Sequence, residues 1–303
     1  MDLDLKSVRL FICVAAMGAI GRAGAEFGLS ATAATQRIRA LEEAVGAQLL
    51  HRTTRVVSLS ADGEVFLAHA KRIVSNLEDA VADLQCRPEE MRGELRIASS
   101  ASFGRKQIAP YVAEFLEAHP KVSIQLEMSD AVVDIAKQGL DLAIRLGELA
   151  PSALKARALA ESPRVLVAAP GYIEREGAPE RPEDLKSHNC LARADVRTWR
   201  MRRPDGTISE VRITGNFATN LAEGITTVAL SGLGVARKCK WEIAEHLESG
   251  ALVTLLEDYT VVPEWRVFAV RSPSHQPPPR VRAFVAFLEA KLRTVPSLAP
   301  NAR

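Results

Sequence analysis

Thr32, Gln36, Arg39 and Glu43 recur at intervals of four, three and four residues, with Thr35 beside them, in the run LSATAATQRIRALEEAVG. On a helix turning about 100° per residue they share one face. Hydroxyl, amide and guanidinium groups on such a face can hydrogen-bond to base edges, and arginines can meet phosphates. The opposite face carries Ala34, Ile38, Leu41 and Val45 at the same spacings, an apolar stripe that has to be buried. His51, Arg52 and Arg55 follow as a basic turn.

Gly28-Leu29-Ser30 reads as a tight turn after a short helix that begins near Ala19. Ser30 is then the N-cap of a second helix from about Ala31 to Val45. Helix, turn, helix and basic turn make a helix-turn-helix with a wing, a geometry that lets the N-terminal end of the second helix enter a major groove. An ordinary amphipathic helix pair shows the same periodicity, so spacing alone leaves both readings open. Ala31, Thr32, Thr35 and Gln36 are the candidate base-facing positions, and Arg39, Arg52 and Arg55 the candidate phosphate contacts.

Leu3 to Met17 is expected to be a supporting helix, with Leu10, Phe11, Val14 and Met17 covering the same core. Gly18, Gly21 and Gly24 make the next segment a poor helix by propensity, to be held by packing. After the wing, Ser60 caps a long helix along which Phe66, Ala70, Ile73, Leu77, Ala80 and Leu84 repeat at alternating spacings of four and three. That is a coiled-coil seam. A second subunit would bury it, and the dimer would set two reading helices about 34 Å apart on one DNA face; packing against its own domain is the alternative.

Composition bounds the rest. The 303 residues are 47% apolar and 25% charged, which fits a folded chain of more than one domain. The net charge of +2 excludes coating of nucleic acid through overall charge, so any nucleic-acid contact must be local. No apolar run approaches the roughly 20 residues of a bilayer span. MDLDLKSVRLF lacks the pattern of a signal peptide, so a cytoplasmic location is expected. Cys13, Cys86, Cys190 and Cys239 form no CxxC, which points to reduced, buried thiols, with a Cys190–Cys239 redox pair as the minor alternative. The six histidines have no metal-ligand spacing and no catalytic constellation stands out, so neither a metal, a cofactor nor an enzymatic activity is expected.

Cys86-Arg87-Pro88-Glu89 should end the long helix. From there strands alternate with helices: ELRIASS, a helix from about Arg105 to Ala118, VSIQLEM, a short helix near Val132 to Gln138, and DLAIRLG. RVLVAAP starts a second set, with helices over Leu221 to Leu230 and Trp241 to Ser249, before WRVFAVRS and a last helix from Val281 to Leu292. Such alternation implies mainly parallel sheets with crossover helices.

The stretch LSATAATQRIRALEEAVGAQLLHRTTRVVSLSADG resembles the N-terminal signature of LysR-type transcriptional regulators. RGELRIASSASFG, HPKVSIQLEMSD, GLDLAIRLG and SGLGVA match that family in order, so the resemblance spans nearly the whole chain. It departs at Ala23-Gly24, where two alanines are usual, at Ala31 in place of Gln, and at Thr35-Gln36 in place of Ser-Arg; base preference therefore does not carry over from relatives. The resemblance implies an α/β chain with a winged helix-turn-helix over 1–59, a dimerising linker helix over 60–88, and over 89–303 an effector domain of the two-lobed periplasmic-binding-protein kind. Its lobes would cover about 93–162 with 266–296, and about 163–265. The expected activity is promoter binding by a homodimer or homotetramer, modulated by a small molecule.

Ligands of open parallel sheets bind beyond the carboxyl ends of strands, at helix N-termini. Ser99, Ser100, Ser102 and Phe103 hold such a place, as do Ser129 with Asp130 and Thr219 with Asn220; Arg145, Arg193 and Arg197 are further candidates. Hydroxyls beside a helix dipole favour a small organic anion such as a carboxylate, unless they are only caps. The competing reading is an enzyme or solute-binding protein with an accessory helical domain, for which neither the coiled-coil seam nor the basic wing has a use.

Overall fold

A computed structural model describes residues 3–52, 57–84, 91–131, 134–135, 138–149, 153–273 and 277–298, with residues 52, 75, 76 and 78–84 described by their backbone alone. The chain divides into two compact units, Met1–Glu89 with Ala136–Gly139, and Glu90–Ile135 with Leu140–Arg303.

In the first unit α1 (Leu5–Met17), α2 (Ile20–Glu26) and α3 (Ala31–Val45) precede the hairpin of β1 (Leu50–Arg52) and β2 (Val57–Leu59), and α4 (Ala61–Leu84) ends it. Helix α1 starts two residues later than its apolar pattern suggests because the Asp4 carboxylate accepts from the amides of Lys6 and Ser7 at 3.1 and 3.2 Å. Leu10, Phe11 and Val14 are buried as expected, whereas Met17, in the last turn, is 38% exposed. Gly24 explains how a weak helix persists: a Cβ there would lie 2.6 Å from the Cβ of Ala34, so the missing side chain lets α2 close onto α3. Ala34, Ile38 and Leu41 fill the shared core.

The α4 stripe divides. Phe66 packs against this core, its ring 5.4 Å from that of Phe11, and Ala70 is fully buried in it. For Ala70 the dimer-seam expectation is corrected, since α4 crosses its own domain there and Ala70 keeps no surface for a partner, whereas Phe66 stays half-buried. Ile73 and Leu77 emerge 46% and 43% exposed. The side chains of Ala80 and Leu84, and residues 85–90 with the expected helix end at Pro88, lie outside the described residues.

The second unit begins with β3 (Arg92–Ser99), a helical run of α5 (Ala101–Phe103), a π turn (Gly104–Ile108) and α6 (Ala109–Ala118), then β4 (Lys121–Met128), β5 (Leu142–Gly147) and β6 (Lys155–Ser162). There follow β7 (Arg164–Ala168), α7 (Pro170–Glu176), β8 (Cys190–Arg193), β9 (Thr198–Arg202), β10 (Ile208–Arg212), β11 (Ala218–Thr219), α8 (Ala222–Leu230), β12 (Val235–Cys239), α9 (Lys240–Glu248), β13 (Val253–Leu255) and β14 (Thr260–Val262). Finally β15 (Trp265–Arg271) and α10 (Pro279–Leu292) return. One sheet has the order β4-β3-β5-β15-β6 and the second β11-β8-β12-β7-β13, with a small sheet β10-β9-β14 beside it. The chain leaves the first sheet between Ser162 and Arg164 and comes back between Val262 and Trp265, so this unit is two-lobed.

Neither large sheet is mainly parallel. β3 runs parallel to β4 and β5, but β15 is antiparallel to β5 and β6. The cause is topological: β6 carries the chain out of the lobe and β15 brings it back. The expected helix over Val132 to Gln138 is not formed at its described residues, 134, 135 and 138, because the chain turns there and Leu140 N–H donates to the Ile135 carbonyl at 3.1 Å. Each lobe has its own core. Leu95, Ile97, Phe115, Phe284 and Leu288 centre the first, and Leu166, Trp199, Met201 and Val235 the second.

Candidate functional site

The outward face of α3 is built from its ends. Ser30 Oγ accepts from Ala33 N–H at 3.2 Å, fixing the first turn, and Gly46 closes the last. Ala31, Thr32, Gln36 and Arg39 are exposed, while Thr35 is half-buried. The Thr35 hydroxyl donates to the Ala31 carbonyl at 2.8 Å, so towards a partner it offers lone pairs and a methyl group rather than its proton. Glu42 has a positioning role: its Oε1 accepts from the amides of Leu49 and Leu50 at 2.9 and 3.1 Å and ties the wing to α3. Ser60 caps α4 through Gly63 N–H at 2.9 Å and donates to the Gln48 carbonyl. A Cβ on Gly63 would fall 2.0 Å from the Leu49 carbonyl oxygen, which gives the closing LSADG a steric reason. In the wing Leu50, His51 and Arg52 pair with Leu59, Ser58 and Val57, and His51 is exposed. The Arg52 side chain and all of Arg55 lie outside the described residues.

The second site is a cavity of about 270 Å³ between the lobes. It opens at the carboxyl ends of β3 to β5, where crossover sheets place ligands. Of the residues expected there, Ser99, Ser100, Ser102, Asp130 and Arg145 line it, with Ser129 and Arg193. Phe103, Arg197, Thr219 and Asn220 are not among its lining. Phe103 is buried in the first core, edge-on to Trp241 at 5.0 Å, and supports the wall from behind. Arg197 is exposed and belongs to a hairpin end, where its carbonyl accepts from Ile213 N–H. Thr219 Oγ1 accepts from Leu221 N–H at 3.2 Å in a local turn, and Asn220 is exposed.

The hydroxyls of Ser99 and Ser102 are buried in this cavity wall with no hydrogen-bond partner among the described residues. An unpartnered buried hydroxyl costs about 1–3 kcal/mol, which a ligand's hydrogen bond would offset. Asp130 is placed differently. One of its oxygens accepts from Ala101 N–H of the first lobe at 2.9 Å, and the other from Ala222 N–H of the second at 3.1 Å. The two helix starts proposed as open seats are thus already filled by the chain.

Sequence reading missed the floor. Cys239, Trp241, Glu242 and Trp265 also line the cavity. Glu242 forms a buried ion pair with Lys238 at 2.5 Å, and Lys238 Nζ also donates to the Ala222 carbonyl at 2.7 Å. The i,i+4 spacing of the pair was visible, but it spans a strand end and a helix start, where that rule has no standing. Arg164 stacks 4.1 Å from the Trp265 ring centroid behind the wall, and burial, then the charge of Arg237, pulls its guanidinium down to about 9. Cys190 and Cys239 belong to different cores, and burial pushes their thiols up to about 12 and about 11, which removes the thiolate a redox pair needs. Among the described residues no helix is long and apolar enough to cross a membrane, and no cluster of His, Cys, Asp or Glu could hold a metal.

Both units match known families. Residues 5–64 match the bacterial regulatory helix-turn-helix protein model of the lysR family, and residues 88–293 match the LysR substrate binding domain. The HTH-type transcriptional regulator DmlR of Escherichia coli K12 is 33% identical over 290 residues, covering 94% of this chain and 93% of the relative. The HTH-type transcriptional activator TtdR of the same strain is 30% identical over 293 residues, with 94% and 92% covered. Among solved structures, CrgA, a LysR-type transcriptional regulator from Neisseria meningitidis, superposes with a TM-score of 0.61 at 27% identity, covering 96% of this chain and 99% of that one. A winged reading helix followed by a two-lobed domain with a ligand-sized cleft, matched over nearly its whole length by regulators of the same build, places this chain in the LysR family of DNA-binding transcriptional regulators.

Proposed function

We propose that the chain acts in the cytoplasm as a homodimer or homotetramer on promoter DNA and that a small organic anion in the cleft changes its arrangement there. Residues 1–59 read DNA, 60–88 join subunits and 89–303 hold the effector. Thr32 and Gln36 read bases directly, Ala31 packs against them and Thr35 accepts; Arg39, Arg52 and Arg55 hold phosphates. Ile73 and Leu77, exposed on α4, are offered to a partner helix, together with Ala80 and Leu84 further along it.

The observation that carries the effector assignment is the pair of unpartnered hydroxyls, Ser99 and Ser102, lining a cavity that also contains Arg145 and Arg193. The carboxylates of the same lining, Asp130 and Glu242, are held in bonds of their own and Arg193 is shared with Asp195, so the serine hydroxyls and the guanidiniums favour an anion, a carboxylate above all. Calorimetric titration of carboxylates into the full-length protein tests it. A compound that binds the wild type should bind Ser102→Ala at least fivefold more weakly and should shift promoter binding, since a ligand moves an equilibrium only by its differential affinity for the two states. A bound carboxylate indifferent to Ser102→Ala would overturn this site.

A further inference from the structure

Asp130 does in this cleft what an external anion would do. Its two oxygens accept one backbone amide from each lobe, Ala101 at the start of the helical run to Ala118 and Ala222 at the start of α8. Helix N-termini carry partial positive charge and unpaired N–H groups, the usual seat of a bound carboxylate or phosphate. In the same cavity Ser99 and Ser102, residues 5% and 2% exposed, have hydroxyls with no partner among the described residues, so the seat's surroundings are still incomplete with Asp130 in place. Two other contacts join the lobes without using these amides: Arg105 with Glu223, Nε to Oε1 at 3.1 Å, and Lys106 Nζ to the Glu242 carbonyl at 2.9 Å. The lobes therefore stay joined if Asp130 lets go.

We propose that Asp130 is a built-in competitor for the effector's anionic group, so that binding is an exchange in which the ligand takes the Ala101 and Ala222 amides and the Asp130 carboxylate swings out to solvent. This rests on the anion reading of the cleft. An internal group that fills a seat nine-tenths of the time lowers the apparent affinity of an external one about tenfold, because only the vacant fraction can bind. Asp130 then sets the effector concentration at which the regulator responds, and a shorter or neutral residue makes it more sensitive. A residue that merely fastens the lobes has the opposite effect, since its loss costs closure and weakens binding.

Sodium acetate is the probe, titrated calorimetrically at constant ionic strength into full-length wild type, Asp130→Ala and Asp130→Asn. Acetate should bind Asp130→Ala about tenfold more tightly than wild type and raise the variant's Tm where sodium chloride does not; Asp130→Asn, which keeps the shape and loses the charge, should show a smaller gain and carries the test if the alanine variant does not fold. Acetate binding that is unchanged, weaker or absent in the variants overturns the proposal. Ser102→Ala added to Asp130→Ala separates the two readings. If the gain persists and the serine has no influence, the exchange stands and the Ser102 contact fails; if the serine weakens acetate but no gain exists, the site stands and the competitor role fails.

Discussion

Helices α3 and α8 begin in opposite ways. α3 is capped by Ser30, a neutral hydroxyl three residues from the amide it serves, at an exposed end. The start of α8 is taken by Asp130, a carboxylate 92 residues away, inside a cleft. A neutral cap satisfies one donor and leaves the partial positive charge of the helix for whatever comes near, which suits the proposed approach of this end to DNA. A charged cap cancels that charge, so an incoming anion has to displace it. The two ends thus teach that a helix N-terminus is a ligand seat only when its own chain leaves it one.

The largest effect is expected at the floor of the cleft. Lys238 holds the Ala222 carbonyl while Asp130 holds its amide, and the ammonium is buried against Glu242. Glu242→Gln leaves that cation unpaired and should destabilise the protein by about 3–5 kcal/mol in urea denaturation. Lys238→Met combined with Glu242→Leu should recover most of the loss, because removing both charges removes the desolvation cost. Failure of the pair to recover would mean that the lysine matters through Ala222 rather than through Glu242.

A smaller effect is expected where the reading unit depends on close approach. Gly63→Ala puts a Cβ against the Leu49 carbonyl and should cost about 1–3 kcal/mol. Thermal unfolding reads this directly, and an unchanged Tm would show that α4 can back away from the wing. Smaller again is Ser30→Ala, at about 1 kcal/mol for a lost N-cap. Its Tm should fall slightly, with promoter affinity lowered by no more than that stability loss; a large drop in affinity at unchanged stability would assign Ser30 to the DNA contact itself.

Legibility in the sequence followed the distance between partners. Ser30 and Ser60 cap amides three residues on, and Ala34, Ile38 and Leu41 share a face by helical period, so the reading unit could be drawn from local spacing. The same locality misled at α4, where Phe66 and Ala70 continue the seam of Ile73 and Leu77 in period but pack into their own domain. In the cleft, Ser99, Ser102 and Arg145 were found because strand ends can be read from alternation. Trp241, Glu242 and Trp265 were not, since they reach the cavity through crossovers that no local pattern encodes. Thr219 and Asn220 looked like Ser99 and Ser102 in sequence, yet the α8 amide they precede is served by Asp130. β6, β13 and β14 went unread because KARALAES is largely exposed at its start and the other two are three residues long.

We expect α3 to turn its open, neutral-capped face to the bases of a promoter. Footprinting of the full-length protein on the DNA upstream of its own gene, with wild type and Gln36→Ala side by side, tests it most directly. The wild type should protect a site and the variant should show an altered base preference at one position worth about 1–3 kcal/mol. A Gln36→Ala footprint with the same affinity and the same preference would contradict it.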